Sequence, residues 1–161
     1  MSPRTPSAAS LEKRLADVEA RLAIIDLEAT YARVWDTGDA EGWADVFTSD
    51  GIFEIIELPD RPGRVVKGRA ALAAFCREVN AATTGMHMMH LPRLTVRGNK
   101  ASGGLYFDFW RVARASGEQT VQGRSSGHYD VTYVRTAKGW RMQKRVERPI
   151  VRTNDAFYGV G

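Results

Sequence analysis

The chain has 161 residues, 43% of them apolar and 26% charged, with 23 Lys and Arg against 19 Asp and Glu. That is enough for one domain with a core and an enclosed pocket, and it excludes collagen-like and disordered architectures. No apolar run approaches a membrane span, the first ten residues lack the apolar stretch of a signal peptide, and a single cysteine, Cys76, excludes an internal disulfide and any Cys-based metal cluster.

The chain therefore reads as cytoplasmic, and its net charge of +4 invites a nucleic-acid partner. The distribution argues otherwise. Basic residues are scattered, and the densest patch, Arg141 to Arg148, places them on both faces of a strand without interleaved aromatics. A solvated surface is expected there, with no nucleic-acid or membrane partner.

Residues 1–9 are rich in Pro, Ser and Ala and read as a flexible tail. Leu11, Leu15, Val18, Leu22 and Ile25 recur at helical steps, which predicts a helix from Ser10 as N-cap to Trp35, with Gly38 as terminator. Asp39 can cap a second, short helix carrying Trp43, Val46 and Phe47 on one face, and Thr48 to Gly51 turns the chain. The period then changes to two. Ile52 to Leu58 and Arg64 to Lys67 form a hairpin, followed by a third helix over Arg69 to Asn80. Strands are expected over Met86 to Arg97, Lys100 to Ala115, Val121 to Arg135 and Trp140 to Pro149, with Gly103, Gly104 and Gly127 marking bends. Residues 152–161 form a C-terminal tail, whose Phe157 and Tyr158 suit a lid. This order predicts an α+β fold, a cone-shaped curved antiparallel sheet with three helices from the N-terminal half enclosing one cavity, in a single domain over 10–151.

Asp36 stands at the C-terminal end of the long helix, where the negative pole of the helix dipole makes a partly buried carboxylate a better base. A surface carboxylate in the turn that follows is the plainer alternative. Met86 to His90 carries two histidines at i and i+3, which on a strand point to opposite faces, so no metal site is expected. His87, Met89 and Leu91 share one face, Met88 and His90 the other. A histidine beside apolar neighbours on a cavity-facing strand suits proton transfer, although a core histidine is the commoner occupant of such a place. Tyr31 reaches a shared pocket from one wall, and at most one of His128 and Tyr129 lines it. There is no nucleophile elbow, phosphate-cradling loop or dinucleotide fingerprint, so any chemistry is expected to proceed by proton transfer with no cofactor.

Three stretches, Ile24 to Ile55, His87 to Gly103 and Ser126 to Val146, resemble the SnoaL-like branch of the nuclear transport factor 2-like superfamily. The resemblance covers about Leu11 to Val151. Tyr31, Asp36 and the Met-His-Met-Met-His strand are most similar to the bile acid 7α-dehydratases, and the placement of Asp and His is also similar to that in scytalone dehydratases. It implies a cone, trimeric more often than not, with His87 as base, Asp36 orienting it and Tyr31 polarising a substrate oxygen. Trp35, Met89, Tyr129 and Arg148 are the implied substrate contacts, and Asp108 lies near an acidic position of the family. The implied function is a cofactor-independent lyase, dehydration first and isomerisation or C–C cleavage next, on an apolar aromatic, steroid-like or polyketide-like substrate. A non-catalytic ligand-binding module, or a β-type subunit of a ring-hydroxylating dioxygenase, is the alternative. Apolar residues on the outer sheet face (Met88, Leu94, Val96, Tyr106 and Trp110 by parity) call for a cover, which a homo-oligomer would supply.

Overall fold

The long helix is set by its two ends. The computed structural model describes residues 7–59, 61–114 and 119–158, and in it α1 spans Ala8–Asp36 with Ser7 as N-cap, its hydroxyl accepting a bond from the Ser10 amide. The cap is thus three residues earlier than Ser10. Of the tail expected over residues 1–9, residues 1–6 lie outside the described residues. At the other end Gly38 takes a φ of 72°, its N–H donates to the Trp35 carbonyl, and the Asp39 N–H donates to that of Val34. This is a Schellman turn, inexpensive only for a residue without a Cβ. Asp39 then caps α2 (Ala40–Asp45) by accepting from the Gly42 N–H at 2.9 Å. The third helix, α3, covers Arg69–Ala82.

Seven strands form one sheet: β1 (Phe47–Ile55), β2 (Arg64–Lys67), β3 (Thr83–Met89), β4 (Arg93–Arg97), β5 (Lys100–Arg114), β6 (Gln119–Thr136) and β7 (Gly139–Tyr158). Their order is β2-β1-β7-β6-β5-β3, with β4 beside β5. The architecture is α+β, a curved open sheet with three helices across its concave side. One pair departs from the antiparallel pattern. The β1–β2 hairpin adds to the free edge of β7, and β1 runs parallel to it. The expected turn at Thr48 to Gly51 lies inside β1, where a register shift between Phe47 and Ile52 absorbs the irregularity.

Three further expectations change. The strand expected over Met86 to Arg97 divides in two, since Pro92 has no N–H for a ladder, and Leu91 is left 79% exposed. Leu94 is consequently buried and Val96 packs on the core, so neither sits on the outer face. Finally, β7 does not stop at Pro149 but pairs with β6 as far as Tyr158, so residues 152–158 are strand rather than tail. The proposed lid side chains, Phe157 and Tyr158, lie outside the residues whose side chains are described.

Curvature comes from a bulge. The β6–β7 register shifts between Ser126 and Gly127, and a Cβ on Gly127 would sit 2.1 Å from the Arg148 carbonyl oxygen. Opposite it, Ile150 and Val151 both face outward, so the inward alternation of β7 resumes at Arg152.

The core is built by α1, α2, α3 and the concave sheet face, with Ile24, Trp43, Phe47, Leu72 and Met142 wholly buried. The apolar stripe that marks the helix in the sequence does not face it. Leu11, Leu15, Val18 and Leu22 are 49–58% exposed, while Ala20, Ile24, Leu27, Tyr31 and Trp35 meet the core. A helix of 29 residues is about 43 Å long, more than a small domain's diameter, so its first turns reach past the sheet. No described helix is long and apolar enough to cross a membrane.

Candidate active site

A cavity of about 310 Å³ lies between α1, α3 and the concave face of the sheet. Its apolar walls include Trp35, Phe53, Ile55, Phe75, Phe107 and Phe109, with Tyr31 and Tyr129 as polar inserts. That volume is at the small end of ligand pockets and suits a compact, largely apolar molecule.

His87 forms part of the wall, and its side chain is only 4% exposed. The β3–β5 register places it opposite Phe109, whose ring centroid is 4.3 Å from that of the imidazole. The Schellman turn ends α1 so that the Asp36 carboxylate meets β3 at this residue. Asp36 Oδ1 is 2.7 Å from His87 Nδ1, and Oδ2 accepts the His87 backbone N–H at 2.8 Å. Two bonds from one carboxylate fix both the strand and the ring, and they satisfy a charge that the helix dipole disfavours. With Nδ1 committed to Asp36, the ring presents Nε2 to the cavity. Burial lowers the His87 pKa below the ordinary histidine value of 6.5, although Asp36 pulls it upward. The imidazole is therefore neutral near neutral pH and able to accept a proton.

Tyr31 joins the same wall, its ring centroid 6.0 Å from His87, and it hydrogen-bonds through its hydroxyl with Tyr129. Burial raises the pKa of both phenols, so they act as neutral hydrogen-bonding groups. Beneath them lies Arg145, wholly buried, with its guanidinium 3.9 Å from the Tyr31 ring and 3.6 Å from that of Tyr129. It pairs with Glu28 of α1 at 2.7 and 2.9 Å, and Glu28 also accepts from the Tyr133 hydroxyl at 2.6 Å. Burial pulls the Arg145 pKa down, but Glu28 together with Tyr31, Tyr129 and Tyr133 outweighs it, and the group stays cationic. Its Nε and Nη2 have no hydrogen-bond partner among the described residues; the two aromatic faces take their place.

Of the residues singled out in the sequence, the structure brings together Asp36, His87, Tyr31, Trp35 and Tyr129. Two substrate contacts are corrected. Met89 packs on the core and does not line the cavity, and Arg148 points to the outer face, pairing with Asp130 at 2.7 Å. Arg148 alternates with Glu147, and only one of two neighbours on a strand faces inward. Asp108 is likewise on the outer face, bonded to Arg124 and Ser126. The basic patch expected to be solvated contributes the buried Arg145. Sequence reasoning missed Glu147, which lines the cavity opposite Tyr129 in the β6–β7 register. Burial raises its pKa to about 7 although Arg145, Arg61 and Arg152 draw it down. It also missed Arg61, Arg64, Arg111 and Arg152. The Ile150 bulge that turns Arg152 inward leaves no mark in the sequence. Arg145 and Glu147 at i and i+2 carried a faint one, an opposite-charge pair on the cavity face.

Residues 16–146 match the family model of the SnoaL-like domain. Among solved structures, the chain is similar to an NTF2-like protein with a cystatin-like fold from Novosphingobium aromaticivorans (26% identity, TM-score 0.66, covering 89% of this chain and 90% of that one). It shares the fold of a type 2 hexachlorocyclohexane dehydrochlorinase (19% identity, TM-score 0.74, 92% and 99% covered). It also shares that of the β subunit of a candidate aromatic-ring-hydroxylating dioxygenase from Novosphingobium aromaticivorans (21% identity, TM-score 0.67, 85% and 92% covered). No curated protein matches the chain.

Proposed function

We propose that this chain, which belongs to the SnoaL-like domain family of the NTF2-like superfamily, is a cofactor-independent lyase working by general acid–base elimination on a compact aromatic or polyketide-like substrate. The observation that carries this reading is the two-point grip of Asp36 on His87 at the wall of an apolar cavity. In a dehydration, the C–H bond beside an activating carbonyl or aromatic group breaks, and its proton goes to His87 Nε2. The electron pair forms the new double bond, and the hydroxyl departs as water with the proton returned by the imidazolium. Asp36 holds the tautomer and stabilises the imidazolium, while Tyr31 and Tyr129 offer hydroxyls to a substrate oxygen. Isomerisation would use the same proton acceptor. A cavity of about 310 Å³ favours one or two rings over a steroid nucleus.

The apolar outer face, with Met86 57%, Tyr106 63% and Trp110 46% exposed, supports a homo-oligomer; the family resemblance favours a trimer, and the composition a cytoplasmic one. The same face and the likeness to a dioxygenase β subunit support a second reading, a non-catalytic partner of a larger chain. Turnover separates the two. The purified chain alone should eliminate water from a hydroxylated aromatic or polyketide acceptor, and His87→Ala should lose about 10²–10⁴-fold in kcat while remaining folded. Full turnover in that variant removes His87 from the mechanism, and activity that appears only with a second polypeptide favours the subunit.

A further inference from the structure

Arginines converge on the cavity from separate parts of the chain: Arg61 from the β1–β2 connection, Arg64 from β2, Arg111 from β5 and Arg152 from β7. Arg64 is matched by Glu78 through two bonds of 2.7 and 3.1 Å. Arg61 and Arg152 stand close enough to Arg111 to add to the effect of burial in lowering its pKa. Glu147 lines the same cavity and offers Arg61 and Arg152 one counter-charge at most; gathering several like charges at a partly buried place is costly, and an anionic ligand lowers that cost. The register shows how they face the dyad. His87, Phe109, Ser125 and Arg152 lie side by side on β3, β5, β6 and β7, on one face. In the next row Arg111 stands between Gly85 and Gly123, neither of which has a side chain to crowd it. Ser125 Oγ, between the dyad and Arg152, has no hydrogen-bond partner among the described residues.

We propose that the substrate carries a carboxylate, received by Arg61, Arg111, Arg152 and the Ser125 hydroxyl, while the carbon that loses its proton lies against His87. This rests on the reading of the cavity as the active site of a lyase. Along the sheet His87 and Arg152 are three strands apart, about 14 Å, so the scaffold between the two groups is one or two rings long. Calorimetric titration of the full chain with 2-naphthoate and cinnamate, each against its primary amide, tests it. Each acid should bind about tenfold or more tightly than its amide. Arg61→Gln combined with Arg152→Gln should erase that preference, and His87→Ala should keep it while losing turnover. A set in which no acid outbinds its amide, or a preference that survives in the double variant, overturns the carboxylate site. Loss of the lyase reading would show instead as full turnover in His87→Ala.

The outward stripe of α1 has its own pattern. Leu11, Leu15, Val18, Leu22 and Ile25 follow at steps of four, three, four and three, the spacing of a coiled-coil seam, and they lie opposite the face that meets the core. With Leu15 and Leu22 at a, the e positions are Glu12, Glu19 and Asp26 and the g positions are Arg14 and Arg21. Among the described residues no ion pair within the chain engages any of these five, and Arg21 is held at the flank by a bond to the Leu94 carbonyl. In a parallel self-association, g faces e of the next copy and every such contact is Arg to carboxylate; antiparallel packing would set like against like. We infer that this stripe docks parallel on the same stripe of another copy, Arg14 against Glu19 and Arg21 against Asp26. Leu at a with Val18 and Ile25 at d favours more than two strands.

Sedimentation of the full chain should give a multiple of 17.9 kDa, and Leu15→Glu with Leu22→Glu should lower that multiple. Arg14→Glu or Glu19→Arg alone should weaken assembly several-fold, and the two together should restore it. An assembly indifferent to the paired Leu changes, a monomeric wild type, or no restoration overturns the seam.

Discussion

Two carboxylates on α1, eight residues or about 12 Å apart, meet partners in different ways. Glu28 is 2% exposed and spends its oxygens on Arg145 and Tyr133, deep in the layer between helix and sheet. Asp36, with 19% of its side chain exposed, grips a neutral imidazole whose other nitrogen faces a cavity. The first arrangement is closed: an ion pair whose guanidinium is sandwiched by Tyr31 and Tyr129. The second is open, leaving one lone pair toward the cavity. Tyr31 touches both, so the buried pair supports the wall that carries Asp36 and His87.

Substitution should break this contrast in opposite ways. Asp36→Asn should cost turnover most, about 10²–10⁴-fold in kcat, by presenting the wrong tautomer or none. Thermal denaturation should show it nearly as stable as the parent. Glu28→Ala should do the reverse and lower stability by about 3–5 kcal/mol, because it strands a buried cation. Chemical denaturation measures that loss, and a value under 1 kcal/mol would deny the pair its structural role.

Glu147 sharpens the comparison with a pH-dependent effect. Its carboxyl has a folded pKa of about 7, raised by burial from 4.5, so the folded state favours the protonated form. The stability this gives is full below pH 4.5 and is lost as pH rises through 7. Glu147→Gln should therefore gain on the parent in melting experiments at pH 8, by at most about 3 kcal/mol, since cavity water solvates part of the charge. The two should converge below pH 4.5. The smallest expected effect is kinetic. The acid limb of kcat/KM should lie below 6.5, because His87 must be neutral to act, and Asp36→Asn should move it lower still by removing the partner that favours the imidazolium.

The open cluster was legible in the sequence and the closed one was not. Gly38 and Asp39 announced where α1 ends, and the alternation through Met86 to His90 assigned His87 to a face, while the pairing of Asp36 with His87 came from the family resemblance. Arg145 sits in a run of basic residues that local rules call solvated, and only the third dimension, with Glu28 above and two tyrosines beside it, makes burial affordable. Leu94 was misplaced because parity was carried across Pro92, and Arg152 was missed because the last strand was ended at Pro149, before the bulge that turns it inward. The leucines of α1 show the same limit. Their period was right, but the face they mark is directed away from this domain.

The central claim is that burial keeps His87 neutral while Asp36 fixes its proton on Nδ1, leaving a lone pair on Nε2 at the cavity wall. Nitrogen NMR of the imidazole across a pH titration measures this directly. The account predicts an Nδ1–H tautomer that persists at neutral pH and gains its second proton only below pH 6.5. An Nε2–H tautomer, or a ring that titrates at 6.5 as in free histidine and is unchanged by Asp36→Asn, would contradict it.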